Sequence, residues 1–162
     1  NLKDSLIVEN KRIRAELDSL RTRGDGLEDS ILKEKIQEEL DDLSSMIYFL
    51  GGTTKVRKFS EGQLDQIVEL LNKYPNLQVE VRGYRNYDPS KLNQINIDED
   101  RAEVVKQMLI QRGLNESRID ARGMGLSNVD DYKDLYSFYD AETNTTFQWN
   151  RNMRVEVKIV KY

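Results

Sequence analysis

The sequence predicts an α+β sandwich, a mixed sheet in the order βαβαββ with helices packed on it and further helices ahead of it. Two stretches alternate as half-buried strands do. In the first, Leu77, Val79 and Val81 are interleaved with Gln78, Glu80 and Arg82; in the second, Met153, Val155, Val157 and Ile159 with Arg154, Glu156 and Lys158. Between them the apolar residues recur at helical spacing, Leu64, Ile67, Val68 and Leu71, then Ala102, Val105 and Leu109 with Val104 and Met108 alongside. Strands that alternate with helices bury their apolar faces as a sheet with helices laid on it.

The chain opens on a seven-residue repeat. Leu6, Ile13, Leu20 and Leu27 make one line of it, and Asn10, Leu17, Gly24 and Ile31 the companion line four residues on, the seam of a short coiled coil. Asn10 on this seam would set register in a parallel homodimer; the alternative is an amphipathic helix that lies on its own domain. Gly24-Asp25-Gly26 predicts a break or hinge, because each glycine costs a helix interior about 1 kcal/mol relative to alanine. Ile36, Leu40, Leu43 and Ile47 then resume a helical stripe, with acids on the exposed side. Residues 1–45 are therefore expected to be a helical segment and residues 46–162 the folded domain.

Met46–Leu50, short, apolar and partly aromatic before Gly51-Gly52, predicts a first buried strand, with helix as the competing assignment. Ser60 and Gln63 fit a capping box that starts the next helix, which Tyr74-Pro75-Asn76 stops. From Gly83 to Ile97 the chain is polar and irregular, a surface loop pinned between a strand end and a helix N-terminus, where binding sites commonly lie. Asp98 is the expected N-cap of the helix that ends at Gly113. Ile119 and Ala121 suggest a short strand ending in a tight turn at Gly123-Met124-Gly125. Residues 127–150 are polar but hold Tyr132, Leu135, Tyr136, Phe138, Tyr139, Phe147 and Trp149, an insertion that either packs itself down or offers a contact surface.

Composition removes several functions. The chain has neither cysteine nor histidine, so thiolate and imidazole metal sites and conventional catalytic triads are excluded, and no metal or cofactor is expected. A net charge of −4 gives no positive field for nucleic acid. The acids of Ile97–Asp100 and Val129–Asp134 lack the alternation and glycine of a calcium loop and read as solvated. No apolar run approaches the roughly 20 residues of a membrane span. The start at Asn1, without methionine, reads as a trimmed fragment, so a missing signal or anchor says nothing of compartment.

Several segments occur together in order: MIYF, SEGQLDQIVELL, VEVRGY, IDEDRAEVVKQMLIQRGL, RIDARGMG and NMRVEV. In this order they resemble the C-terminal peptidoglycan-binding domain of the OmpA family, also found in peptidoglycan-associated lipoproteins and flagellar stator proteins. The resemblance covers roughly Met46 to Ile159. It implies a non-catalytic module in the periplasm, tethered to the outer or inner membrane by a part outside this chain. Its partners would be peptidoglycan, held through the diaminopimelate of the stem peptide, and other envelope proteins. An enzyme acting on the cell wall would need converging carboxylates or a metal, and neither can be assembled from these residues.

In that family an aspartate from a G-[HY]-T-D turn meets the ammonium of diaminopimelate and an arginine at the start of the following helix meets its carboxylate, a charge-assisted reading of a zwitterion. The arginine matches Arg101, with Ala102 after it. Gly83-Tyr84 is kept, but Arg85 and Asn86 stand at the threonine and aspartate positions. Asn86 can accept a hydrogen bond yet carries no charge, a loss of about 1 to 3 kcal/mol of binding. Asp88 could supply the acid from a shifted loop. Gln94, flanked by Asn93 and Asn96, and then Asp98 depart from the family's asparagine and serine, and Asp98 puts negative charge near the ligand carboxylate. Asn152 and Arg154 fit the closing strand, while Met153 replaces an arginine. The expected peptidoglycan-binding residues are thus Tyr84, Asn86, Asp88, Asp98, Arg101 and Arg154. The plainer alternatives are an Arg101 paired with Asp98 or Asp100 and an Arg154 paired with a cross-strand glutamate. A diverged module that has lost peptidoglycan and contacts another protein is the rival function.

Overall fold

The structure is a computed structural model that describes residues 1–86, 96–127 and 135–162, without the side chains of residues 21–23 and 25. It has two compact units, Asn1–Ile36 and Gln37–Tyr162. The first unit is helical throughout. It belongs to α1, one helix of 43 residues from Leu2 to Ser44. The break expected at Gly24-Asp25-Gly26 is absent, and the helix runs through both glycines. Their cost is one of propensity, which the hydrogen-bond ladder of a long helix can carry. No described helix is long and apolar enough to cross a membrane.

The second unit contains α2 (Glu61–Asn72), β1 (Gln78–Arg85), α3 (Ile97–Gln111), β2 (Ile119–Leu126), β3 (Leu135–Asp140), β4 (Thr145–Asn150) and β5 (Val155–Lys161), with single 3₁₀ turns at Lys58–Ser60 and Glu116–Arg118. Three strands form a mixed sheet in the order β2-β1-β5, β1 parallel to β2 and antiparallel to β5. The α+β fold predicted from strand and helix periodicity is therefore the fold observed. Leu77, Val79, Val81, Val155 and Val157 are buried, as alternation requires, together with Leu64, Ile67, Leu71, Ala102, Val105 and Leu109 from the helical stripes. Arg118 ties α2 to the sheet. It donates from Nη2 to the carbonyls of Leu71 (2.8 Å) and Tyr74 (2.9 Å) and from Nε to that of Leu77 (3.0 Å), satisfying acceptors that a helix end leaves open.

β5 is an edge strand, and the last turns of α1 cover its free groups. Gln37 donates to the carbonyl of Val157 (3.0 Å) and accepts from the amide of Ile159 (2.8 Å), while Lys158 Nζ lies 2.7 Å from Asp41. A side chain thus fills hydrogen bonds that a further strand would make, which blunts the edge against pairing with other chains.

Three further local expectations are corrected. Met46–Leu50 does not form a strand; only a bridge between Phe49 and Val56 remains, because Gly51-Gly52 turns the chain back immediately. Ser60 does not cap α2: its hydroxyl donates to the carbonyl of Met46 (2.8 Å) and accepts from the amide of Tyr48 (3.0 Å), so the competing long-range partners win. β2 runs through Gly123 and Gly125 rather than ending there in a turn, with a register shift against β1 between Gly83 and Arg85 and a positive φ of 83° at Gly125. The aromatic insertion contains a hairpin, β3-β4, with Tyr136 opposite Trp149 and Phe138 opposite Phe147.

That hairpin is held by aromatic and ionic contacts. Tyr48 lies 4.6 Å from Phe138, 5.9 Å from Phe147 and 5.6 Å from Trp149, ring centre to ring centre. Arg57 sits 3.5 Å over the Phe147 ring and forms a buried ion pair with Asp140, Nη1 to Oδ2 2.8 Å. Packing down is thus the main work of Phe138, Phe147 and Trp149, while Tyr136 and Tyr139 stay exposed.

Candidate functional site

The first turn of α3 packs unusually close to the sheet, and two glycines make that approach feasible. A Cβ on Gly83 would collide with the backbone carbonyl of Asp98, and one on Gly123 would lie 2.9 Å from both Asp98 Oδ2 and the Glu99 Cβ. Asp98 is consequently buried. It is not the N-cap; Asn96 holds that position, with no capping hydrogen bond from its side chain. Asp98 instead accepts the amide of Gly125 at 2.8 Å and faces Arg85, whose Nε is 3.6 Å from Oδ1. Three acids, Asp98, Glu99 and Asp100, occupy this positive helix end.

One turn further, Arg101 is 2% exposed. Its Nε donates to the carbonyl of Thr53 at 2.9 Å, and its guanidinium lies 4.7 Å from the Phe49 ring centre and 5.5 Å from that of Trp149. It pairs with neither Asp98 nor Asp100. Burial pushes its pKa down to about 10. Arg101 Nη2 and Arg85 Nε are the two buried side-chain nitrogens without a hydrogen-bond partner among the described residues. Both belong to cations, but Arg85 has Asp98 as its ion-pair partner.

Arg154 lies elsewhere. Its guanidinium stacks 4.0 Å from the Tyr84 ring centre, and it donates to Glu156 Oε1 (2.8 Å) and to Ser127 Oγ (2.9 Å), whose hydroxyl also donates to the buried Asn152 (3.0 Å). The glutamate is two residues along the same strand, not across the sheet. Tyr84 has its hydroxyl pKa pushed up, first by burial and then by Glu156. Residues on a strand alternate faces. Gly83 and Arg85 face α3, whereas Tyr84 takes the opposite face with Arg154.

The six expected ligand residues therefore separate. Asp98 and Arg101 both lie on the first turns of α3, Asp98 with Arg85 and Arg101 with Thr53, Phe49 and Trp149; Tyr84 and Arg154 form a second cluster; Asn86 stands at the end of β1, half-buried; Asp88 lies outside the described residues, as do Asn93 and Gln94 and the acids at 129–134. Sequence reasoning misses Thr53, Phe49, Trp149 and Gly125, which fix the arginine and the aspartate. No local signal marks them, since each meets its partner only through the fold.

The OmpA family profile matches residues 48–137. Among solved structures, the periplasmic domain of Helicobacter pylori MotB (residues 78–256) aligns with a TM-score of 0.56 at 18% identity, over 73% of this chain and 72% of that one. A second form of that domain (residues 90–256) gives 0.56 at 20% identity, over 73% and 70%. The peptidoglycan-associated lipoprotein of Burkholderia pseudomallei gives 0.50 at 18% identity, over 70% of this chain and 87% of that one. Curated protein sequences give no match. The profile covers more than half of the 162 residues, and on that ground the chain belongs to the OmpA family.

Proposed function

We propose that the domain is a non-catalytic, periplasmic module that binds peptidoglycan through the diaminopimelate stem peptide and anchors an envelope protein or complex to the cell wall. The observation that carries this reading is Arg101 Nη2, a buried guanidinium donor with no hydrogen-bond partner among the described residues, beside Arg85 Nε, which is also unbonded and ion-paired to Asp98 only at 3.6 Å. A buried guanidinium donor left unbonded is costly, and a ligand carboxylate supplies the acceptor and the charge together. Membership of the OmpA family and a fold shared with a peptidoglycan-associated lipoprotein support the same reading. Arg101 would hold the carboxylate, assisted by Arg85, while Asn86 and Asp88 would serve the ammonium. Tyr84 and Arg154, stacked on each other, would brace the end of β1.

The burial of Arg101 favours a second reading, a diverged module whose binding partner is another envelope protein. Sedimentation with purified peptidoglycan separates the two. The first expects the protein in the pellet and its release by a free diaminopimelate-containing peptide; protein that stays in the supernatant supports the second.

A further inference from the structure

Unit Asn1–Ile36 carries an apolar stripe that is exposed among the described residues. Leu6, Ile13, Leu17, Leu20, Leu27 and Ile31 are each between 43% and 66% exposed, on a helix whose other positions are mostly charged or polar. They fall on two lines, Leu6, Ile13, Leu20 and Leu27 at heptad position d and Asn10, Leu17, Gly24 and Ile31 at position a. The helix is continuous across the whole repeat. The seam spans about 40 Å at 1.5 Å per residue.

We propose that this stripe pairs with a second copy of the same chain, as a parallel, in-register, two-stranded coiled coil. Charge at the flanking positions selects that partner and that orientation. In a parallel pair a residue at position g meets the e residue five places on in the partner. Glu9 at g then meets Arg14 at e. By residue type the next two such pairs are Glu16 with Arg21 and Arg23 with Glu28, opposite in sign each time although the order reverses at the third. Within the single chain Glu9 contacts Arg12, Nη2 to Oε1 2.6 Å, but both side chains are more than half exposed, and so exposed a pair holds Glu9 weakly. Asn10 sharpens the orientation. In register it faces its own copy, and each amide can donate to the other; in an antiparallel pair it would be buried opposite an apolar d residue with its donors unmet. Gly24, with no side chain to contribute, is the weak layer.

The chain lacks cysteine, so Asn10→Cys introduces a single thiol. The full chain is expected to sediment as a concentration-dependent dimer, and the Asn10→Cys chain to form a disulfide-linked dimer on mild oxidation. Glu9→Lys should raise the dimer dissociation constant roughly tenfold, and Arg14→Glu added to it should restore pairing, because the two positions exchange sign across the g–e contact. All these side chains are solvent-exposed, and unchanged thermal unfolding of the second unit checks that the domain is intact. A monomer throughout the micromolar range overturns the proposal. So does a dimer whose Cys variant does not crosslink, or one in which Arg14→Glu fails to compensate.

Discussion

Arg101 is where chemistry and burial pull in opposite directions. A guanidinium at 2% exposure, bonded once to Thr53 and stacked near two rings, keeps its charge with no counter-ion among the described residues. If the residue served only stability, an apolar side chain of similar length would serve as well or better, since replacing buried charge with packed hydrophobe is often neutral or stabilising by about 1 to 4 kcal/mol. Arg101→Met is therefore expected to keep or raise the melting temperature while it abolishes retention on peptidoglycan. Arg57 and Asp140 differ, because there the buried charges satisfy each other. The hydrogen bond from Arg57 is the main reason that the Asp140 carboxyl sits below its ordinary 3.8. A carboxyl depressed in the folded state stabilises above the ordinary carboxyl range, and that contribution fades as pH falls through the folded value. Asp140→Asn should lower the melting temperature at neutral pH and flatten its decline in acid, as scanning calorimetry from pH 7 down to the acid limb would record.

At the level of elements, the close seat of α3 on β1 and β2 organises the site. Gly83→Ala forces a methyl into the Asp98 carbonyl, and α3 must lift or the strand must shift. The expected loss is about 3 kcal/mol or more of unfolding free energy, measured in urea, because backbone has less room to yield than a side chain. The hairpin is the other positioning element. Trp149 is the chain's single tryptophan and lies beside Arg101, so its fluorescence should respond to a diaminopimelate-containing peptide in the wild type and not in Arg101→Met. Much of this architecture is legible in sequence: α2, β1, α3, β2 and β5 follow from period and punctuation, because one buried face imposes its repeat on the residues. The end of α3 at Gly113, with φ of 107°, is equally legible. Met46–Leu50 is not, since a short apolar run has the same composition whether it pairs with neighbours or supplies one bridge. Nor are the roles of Ser60 and Asp98, whose good capping chemistry is redirected by partners brought near only by the fold. Arg101 can be named from its motif, but its cover of Phe49, Thr53 and Trp149 comes from segments about fifty residues away on either side.

For the whole molecule, membership of the OmpA family frames the proposed function, and the segment after β1 is where this chain departs from the family pattern. If the domain reads diaminopimelate as proposed, an asparagine at position 86 would leave its ammonium without the family's acid, while Arg85 adds positive charge beside Asp98. On that proposal the balance would shift toward recognition of the carboxylate end. Asn86→Asp is accordingly expected to tighten retention on peptidoglycan by about 1 to 3 kcal/mol, the worth of one charge-assisted hydrogen bond. A paired N-terminal coil would add to this by avidity, two modules on one polymer. The central claim is tested most directly by cosedimentation with purified peptidoglycan, wild type beside Arg101→Met. The expected result is wild type in the pellet and the folded variant in the supernatant. Wild type in the supernatant, or both proteins equally in the pellet, would contradict it.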